Sequence, residues 1–421
     1  MGASTTPEKQ QRLLPTTRPQ VAGYRFMRRR VEHGLVFGDI RMIHDPLGTR
    51  RRAMLFGVAA VAIIAAVMGL LAWLRPNADP GDAPILRSGD ANLYVRVGET
   101  LHPVTNLTSA RLIAGEPADP VRIGEANLAQ RPRGVPVGLV TAPSHFAPAD
   151  SADTSWSVCH SGDSVTVAAG EPARALAADR AVFTRAGGAE WLVTHEGRAL
   201  LPPSDEPAGR VVRRGLGLDA DTPVWEPPVE VLNALREMPQ VALPSPLPEV
   251  VDTGEGVWLR TADRGVQEIT PVQRDILADA GALVRRIERG ELANYPDASP
   301  PIDVHLPTVA PAWVDPSNEA VCVNDSRGAA SEPPPPTTGT TELSGGAVAT
   351  HFAGLADGAV AVDTGHGYHI VSTHGLRHHV PDSGTLEVIG AQHMDTVAWE
   401  ILSLLPEGDV IEREAALTAT Y

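Results

Sequence analysis

Ala53–Leu74 reads AMLFGVAAVAIIAAVMGLLAWL, 22 residues without a single charge. A helix of that length rises about 30 Å, the thickness of a bilayer's hydrocarbon core. Helix is the conformation required there, because lipid offers no hydrogen-bond partner to an open backbone. Arg50, Arg51 and Arg52 bound the stretch on one side, and Arg75 and Pro76 on the other. Trp73 stands near the far end, where an amphipathic ring suits the membrane–water interface.

Charge orients this span. Residues 1–52 carry 11 Lys+Arg against 4 Asp+Glu, a net of +7, whereas residues 75–421 carry a net of −23. Positive residues near a span stay in the cytoplasm, so the N-terminal segment is expected inside and the long acidic part outside. A cleaved signal peptide is the competing reading, but it has a shorter leader, a shorter apolar core and a small-residue cleavage site. Here about 50 residues precede a full-length span and RPNADPGDAP follows it, which favours a retained anchor. The chain's two cysteines, Cys159 and Cys322, both fall in the outer part. An even pair in an oxidising compartment reads as one disulfide, with two buried free thiols as the alternative.

Over the whole chain, 77 of the 421 residues are Pro or Gly, which argues for turns and loops over long helices. Residues 76–84 form a polar spacer, and Ser331–Thr341 (SEPPPPTTGTT) is expected to be extended and exposed. Four segments share one pattern: an aromatic, alternating apolar and polar residues, a Gly turn, and a second short apolar run. They are Leu93–Val104, Glu190–Pro202, Val257–Thr270 and Gly367–Pro381, and each reads as a β-hairpin. A further apolar stretch follows each, at Ala110–Gly115, Gly209–Gly217, Arg274–Ala282 and Leu386–Gly390. The spacing is too irregular for a solenoid, so copies of one small αβ module around a non-repeating centre are expected. Helices are expected at Pro227–Pro239, within Pro271–Gly290 and at Thr396–Leu405; before the span, Gln20–Arg30 and Val31–His44 read as an amphipathic helix pair.

Little in the chain proposes chemistry. A P-loop needs a lysine at the phosphates, and the one lysine, Lys9, has no glycine loop around it. The GxSxG, HExxH and GxGxxG patterns are absent, so no catalytic residue, cofactor or metal ligand is assigned. His366, His369, His374, His378, His379 and His393 crowd together with Asp363 ahead of them. Imidazoles suit Zn or Ni, but alternate residues of a hairpin point to opposite faces, which opposes convergence. Arg25, Arg28, Arg29, Arg30, Arg50, Arg51 and Arg52 read as contacts to anionic lipid or to a partner, with nucleic acid a poor third. Asn106-Leu-Thr108 matches a glycosylation sequon and is read as a chance match.

Several stretches together carry a family resemblance. QVAGYRFMRRRVEHGLVFGD and RM before the span, VTNLTSARLIAGEPADPVRI, LAQRPRGVPVGLVTAP, WSVC at Trp156–Cys159, VLNAL and ILSLLPEGDVIEREAA resemble EccB. EccB is the single-span core component of the type VII (ESX-type) secretion system of actinobacteria. The resemblance runs from about Pro19 to Ala416. It implies assembly with EccC-, EccD- and EccE-like subunits in a sixfold membrane complex, and four repeats around a β-rich central domain. It also implies a disulfide between Cys159 and Cys322. Some members carry an ATP-hydrolase label, which the missing P-loop here does not support.

The reading as a whole is an α+β chain: a basic cytoplasmic segment 1–52, a transmembrane helix 53–74 and an elongated extracytoplasmic repeat region 75–421. Within the last, repeats are expected at about 86–117, 189–220, 256–290 and 358–406, with the centre at about 140–188 and 300–330. The expected function is structural and assembly work in the secretion complex. A membrane-anchored ATP hydrolase with a non-P-loop site is the alternative, and a cell-wall-binding protein a third reading.

Overall fold

A computed structural model describes residues 16–41, 46–73, 78–261, 265–333 and 339–420. Lys9, the side chains of Arg51 and Trp73, and the prolines of SEPPPP beyond Pro333 lie outside the described residues. Contacts divide the chain into two compact units, 1–77 and 78–421.

The first unit holds helices α1 (Arg18–Phe37) and α2 (Pro46–Trp73). One continuous helix thus replaces the expected pair before the span. Pro19 sits in its first turn, where a missing N–H costs nothing, and Gly38 closes it in the left-handed conformation. No proline or other breaker separates Arg30 from Val31, which is why the helix runs through. Within α2, Arg52–Leu71 is long and apolar enough to cross a membrane.

The second unit opens with module 1: β1 (Ile85–Arg87), β2 (Leu93–Val97), β3 (Thr100–Val104), α3 (Leu107–Ala114), β4 (Val121–Arg122) and α4 (Glu125–Ala129). Strands β5 (Ser155–Ser161) and β6 (Ser164–Gly170) begin a central sheet. Module 2 has β7 (Arg180–Ala186), β8 (Ala189–Thr194), β9 (Gly197–Leu200), α5 (Pro207–Gly215), β10 (Val224–Trp225) and α6 (Val229–Ala234). Module 3 has β11 (Glu249–Asp252), β12 (Val257–Thr261), β13 (Gly265–Ile269), α7 (Pro271–Asp279), β14 (Val284–Arg286) and α8 (Arg289–Leu292). After β15 (Ala312–Trp313) come β16 (Ala320–Val323), β17 (Ala329–Glu332), β18 (Thr340–Glu342) and β19 (His351–Gly354). Module 4 has β20 (Val360–Asp363), β21 (Tyr368–Val371), β22 (Arg377–Val380), α9 (Ser383–Ile389), β23 (Met394–Thr396) and α10 (Trp399–Leu402), and α11 (Arg413–Ala416) follows.

Each module therefore repeats β-β-β-α-β-α, and the sheet order is the same each time: third, second, first, fourth. The first three strands form an antiparallel meander, and the fourth returns through the helix to lie parallel to the first. A parallel return needs a crossover, which the helix supplies. The hairpins read from sequence are the second and third strands of each module. The expected helix over Pro271–Gly290 stops at Asp279, because Gly281 and the exposed β14 take up the following residues. Thr396 likewise ends β23, so the helix there is confined to Trp399–Leu402. Asn106 is buried, accepts from Ser109 N at the start of α3 and donates to Leu139 O, so the sequon side chain is a helix cap.

The third strand of each module would be a bare edge, and one device covers all four. Arg133, Glu237, Asp297 and Glu407 each form a parallel bridge to it, at Leu101, Arg198, Val266 and Arg377. The four strand N–H groups donate to Pro132 O, Arg236 O, Pro296 O and Pro406 O at 2.8–3.0 Å. A covered edge cannot template pairing with another chain.

The modules also fall into two matched pairs. Helices α3 and α9 start at Asn106 and Asp382, whose side chains accept from the backbone three residues on, whereas α5 and α7 start on Pro207 and Pro271. In modules 1 and 4, His102 and His378 donate through Nδ1–H to Val135 O (3.0 Å) and Asp409 O (2.8 Å). Gly134 and Gly408 leave room for those rings; a Cβ at either would overlap the imidazole. The packing follows the same division: α3 lies against α9, and α5 against α7. One apolar core joins modules 1 and 4 through Ile85, Val95, Leu112, Ile370 and Ile389; another joins modules 2 and 3 through Phe183, Val212, Leu259 and Ile276.

The central sheet runs β17-β16-β5-β6-β19-β18. Its core holds Trp156, Val167, Val321 and Phe352, and takes in Trp225 and Leu232 from module 2 and Ile401 and Leu405 from module 4. Cys159 and Cys322 face each other across β5 and β16 and form a disulfide, their Cα atoms 3.9 Å apart. The free-thiol alternative falls away. The bridge closes a loop of 163 residues, which in the chain-entropy model is worth about 5 kcal/mol. We predict that Cys159→Ala/Cys322→Ala lowers the stability of the full chain by up to that amount. A urea titration followed by tryptophan fluorescence reads it, and an unchanged midpoint contradicts the assignment.

Candidate functional site

On α1 the helical period separates three rows. Tyr24, Met27, Val31 and Leu35 form one apolar stripe, at 70%, 57%, 58% and 82% exposure. Phe26, His33 and Phe37 form a second; His33 is buried, its ring lies 5.0 Å from that of Phe37, and its Nδ1 meets Asp39 O. Between the stripes run Arg18, Arg25 and Arg29, lining one shallow concavity with Val21 and Phe26. Arg28 pairs with Glu32 one turn on at 3.0 Å, and Arg30 donates to Ile40 O at 3.1 Å. Both pairs are exposed and of small energetic weight. Arg50 and Arg52 are exposed on α2. Sequence reading missed Arg18, because it stands apart from the arginine runs and joins their row only through the helical repeat.

In the second unit the functional groups lie along β5. Near its start, Trp156 Nε1 donates to Asp395 Oδ2 of module 4 at 3.1 Å. In the middle sits the disulfide. Near its end, His160 Nδ1 accepts from Trp225 Nε1 of module 2 at 2.9 Å. An indole N–H can only donate, so His160 is neutral with its proton on Nε2. Arg327, in the turn between β16 and β17, adds a fourth tie. It donates to Ala234 O at the end of α6 and pairs with Glu400 of α10 at 2.9 Å.

The histidine cluster does not converge. His369 and His379 face each other across β21 and β22, rings 5.4 Å apart, while His378, next to His379 on β22, points to the opposite face and is fully buried. His366 and His374 sit in turns on Thr364 O and Thr373 Oγ1, and Asp363 accepts from Gly365 N. Strand alternation wins, as the hairpin geometry requires. Only His393 leaves the group, to join Asp153 and Asp395.

Burial holds the imidazoles of His160, His369 and His378 below their ordinary value of 6.5. For His369 the neighbouring His379 and Arg377 add to the effect, and among the described residues His369 Nδ1 and His378 Nε2 have no hydrogen-bond partner. Each ring takes a proton more readily in the unfolded chain, so its contribution is complete above 6.5 and is lost as pH falls below it. Glu319, held low by the hydrogen bond from Arg180, acts only below 4.5 and does not overlap this window. The urea midpoint of the full chain is therefore predicted to be lower at about pH 5.5 than at about pH 7.5, with a flatter profile in His378→Gln. A midpoint that rises on acidification in this range refutes the assignment.

The class defined by this geometry is a chain with, among the described residues, one membrane-length helix and four αβ modules around a disulfide-bonded sheet. The chain belongs to the EccB family: residues 13–260 match the family described as type VII secretion system ESX-1, transport TM domain B. It is 30% identical to the protein of Mycobacterium tuberculosis H37Rv named ESX-3 secretion system ATPase EccB3, over 96% of this chain and 89% of that one. The ESX-1 secretion system ATPase EccB1 of the same organism is 28% identical, over 96% and 94%. Among solved structures, a chain of an intact ESX-5 inner membrane complex superposes with a TM-score of 0.66 at 26% identity, covering 97% of this chain and 96% of that one. An EccB3 dimer from the ESX-3 core complex shares the fold, with a TM-score of 0.67 at 24% identity over 80% and 100%.

Proposed function

We propose that this chain is a structural and assembly subunit of a type VII secretion membrane complex, supporting protein export across the cell envelope. Family membership over nearly the whole chain is the observation that carries this reading. In the complex the basic N-terminal segment lies in the cytoplasm, the single helix anchors, and the module unit stands outside. Charge asymmetry about the span supports that orientation. The disulfide supports an oxidising compartment for the modules.

The partners are EccC-, EccD- and EccE-like subunits together with further copies of this chain in a hexameric assembly. Two apolar stripes on different sides of α1 support docking against protein, since a helix lying on lipid needs only one. Arg25, Arg28, Arg29 and Arg30 on α1, with Arg50, Arg51 and Arg52 at the span, supply the charged part of that contact. Deleting residues 1–52 is expected to leave the module unit folded and disulfide-bonded while abolishing recovery of the complex from detergent extracts. Normal assembly of the truncated chain would sink the proposal.

The relatives' names favour a second reading, an ATP hydrolase with a non-P-loop site. The one lysine, Lys9, has no glycine loop around it. A structural subunit is expected to show no saturable ATP binding by calorimetry on the full chain freed of other ATPases. Stoichiometric binding with turnover would establish the enzymatic reading instead.

A further inference from the structure

The ties along β5 leave one group unexplained. Asp395 is 2% exposed, yet its hydrogen-bond donors are the indole of Trp156, the backbone N–H of Thr154 and the ring of His393. No arginine or lysine reaches it among the described residues. A carboxylate buried without a cation is costly, because desolvation is not repaid by neutral donors alone. Asp153 makes the position worse. Its carboxylate oxygen, a ring nitrogen of His393 and a carboxylate oxygen of Asp395 all lie within 4.8 Å of one another. Two like charges at that spacing repel unless a cation stands between them.

His393 supplies an independent indication. Its side chain is 7% exposed and lines a cavity of about 370 Å³ with Ser151, Thr154 and Asp357. Nε2 meets Asp395 Oδ1 at 3.0 Å, and Nδ1 has no hydrogen-bond partner among the described residues. For the ring to ligate through Nε2, the proton shared with Asp395 Oδ1 leaves and the ion takes its place between the two atoms. Ligand atoms about a tetrahedral ion at 2.0–2.1 Å stand roughly 3.3 Å apart, close to the His393–Asp395 distance.

We propose that Asp153, His393 and Asp395 bind a divalent transition-metal ion of the zinc class where the segment entering β5 meets β23 of module 4. One imidazole and two carboxylates select Zn²⁺ and its neighbours over Ca²⁺ or Mg²⁺, which prefer oxygen alone. Three protein ligands leave a fourth position for water, and the exposed Asp153 gives a path for entry from solvent. The ion clamps module 4 to the central sheet across 240 residues of chain, next to the Trp156–Asp395 bond. Trp156 and Thr154 hold the Asp395 carboxylate in place behind it.

The test uses the full chain in detergent, without a histidine tag, titrated with Zn²⁺ against a chromophoric chelator. One equivalent per chain is expected to bind and to raise the thermal unfolding midpoint, and EDTA reverses the rise. Asp153→Asn and His393→Gln are each expected to abolish the stoichiometric uptake. Asp153 is exposed and makes no tie to the core, so its substitution leaves the fold intact and keeps the result readable. Uptake well below one equivalent overturns the proposal. So does uptake unchanged in Asp153→Asn and His393→Gln, which assigns the metal to His366, His379 or another surface histidine.

Discussion

Strand β5 is the element on which the second unit depends. In seven residues it carries the indole bond to Asp395, the disulfide to Cys322 and the acceptor for Trp225. Both polar ties are nearly free of solvent, where an unpaired partner costs about 1–3 kcal/mol. Breaking either would leave a buried donor or acceptor stranded, so each behaves as a condition on geometry more than as a gain in energy. Arg327 repeats the principle from the neighbouring turn by joining the carbonyl end of α6 to Glu400. The apolar core beneath is continuous across the same junction, so burial supplies the cohesion and the polar bonds set the register.

Around that strand the modules use one topology with two sets of details. Modules 1 and 4 share an Asx helix cap and a histidine seated over a glycine; modules 2 and 3 share a proline helix start. Because α3 packs on α9 and α5 on α7, each pair buries a helix face that a single module of this size could not cover. The edge device is common to all four, and three of its carbonyls belong to prolines, which have no N–H to present outward. A chain built to assemble with others thus closes four edges against uncontrolled pairing.

The first unit has the opposite character. Helix α1 keeps large apolar side chains exposed on two sides with arginines between them, and α2 is apolar from Ala53 onward. Exposed apolar surfaces of this extent mark contact with lipid or with another protein. The second unit covers the third-strand edge of each module with its own chain, while the first keeps its apolar side chains exposed.

Sequence alone determined what depends on local composition. The uncharged stretch and the arginines before it define the span, the alternating hairpins define the second and third strands of every module, and the cysteine pair announces its bond. Tertiary structure decided what depends on distant segments. The first and fourth strands of each module run two to seven residues and pair in parallel across a helix, so no local period marks them. The expected break of α1 at Arg30 has no counterpart, since Tyr24, Met27, Val31 and Leu35 follow one face across it. The histidines looked like a site because they were close in sequence, and alternation along β22 separated them. The cluster that did form takes Asp153 from the segment entering β5, and His393 just before β23 with Asp395 within it, 240 residues away. Only the packing of module 4 on the central sheet brings those carboxylates together around one imidazole.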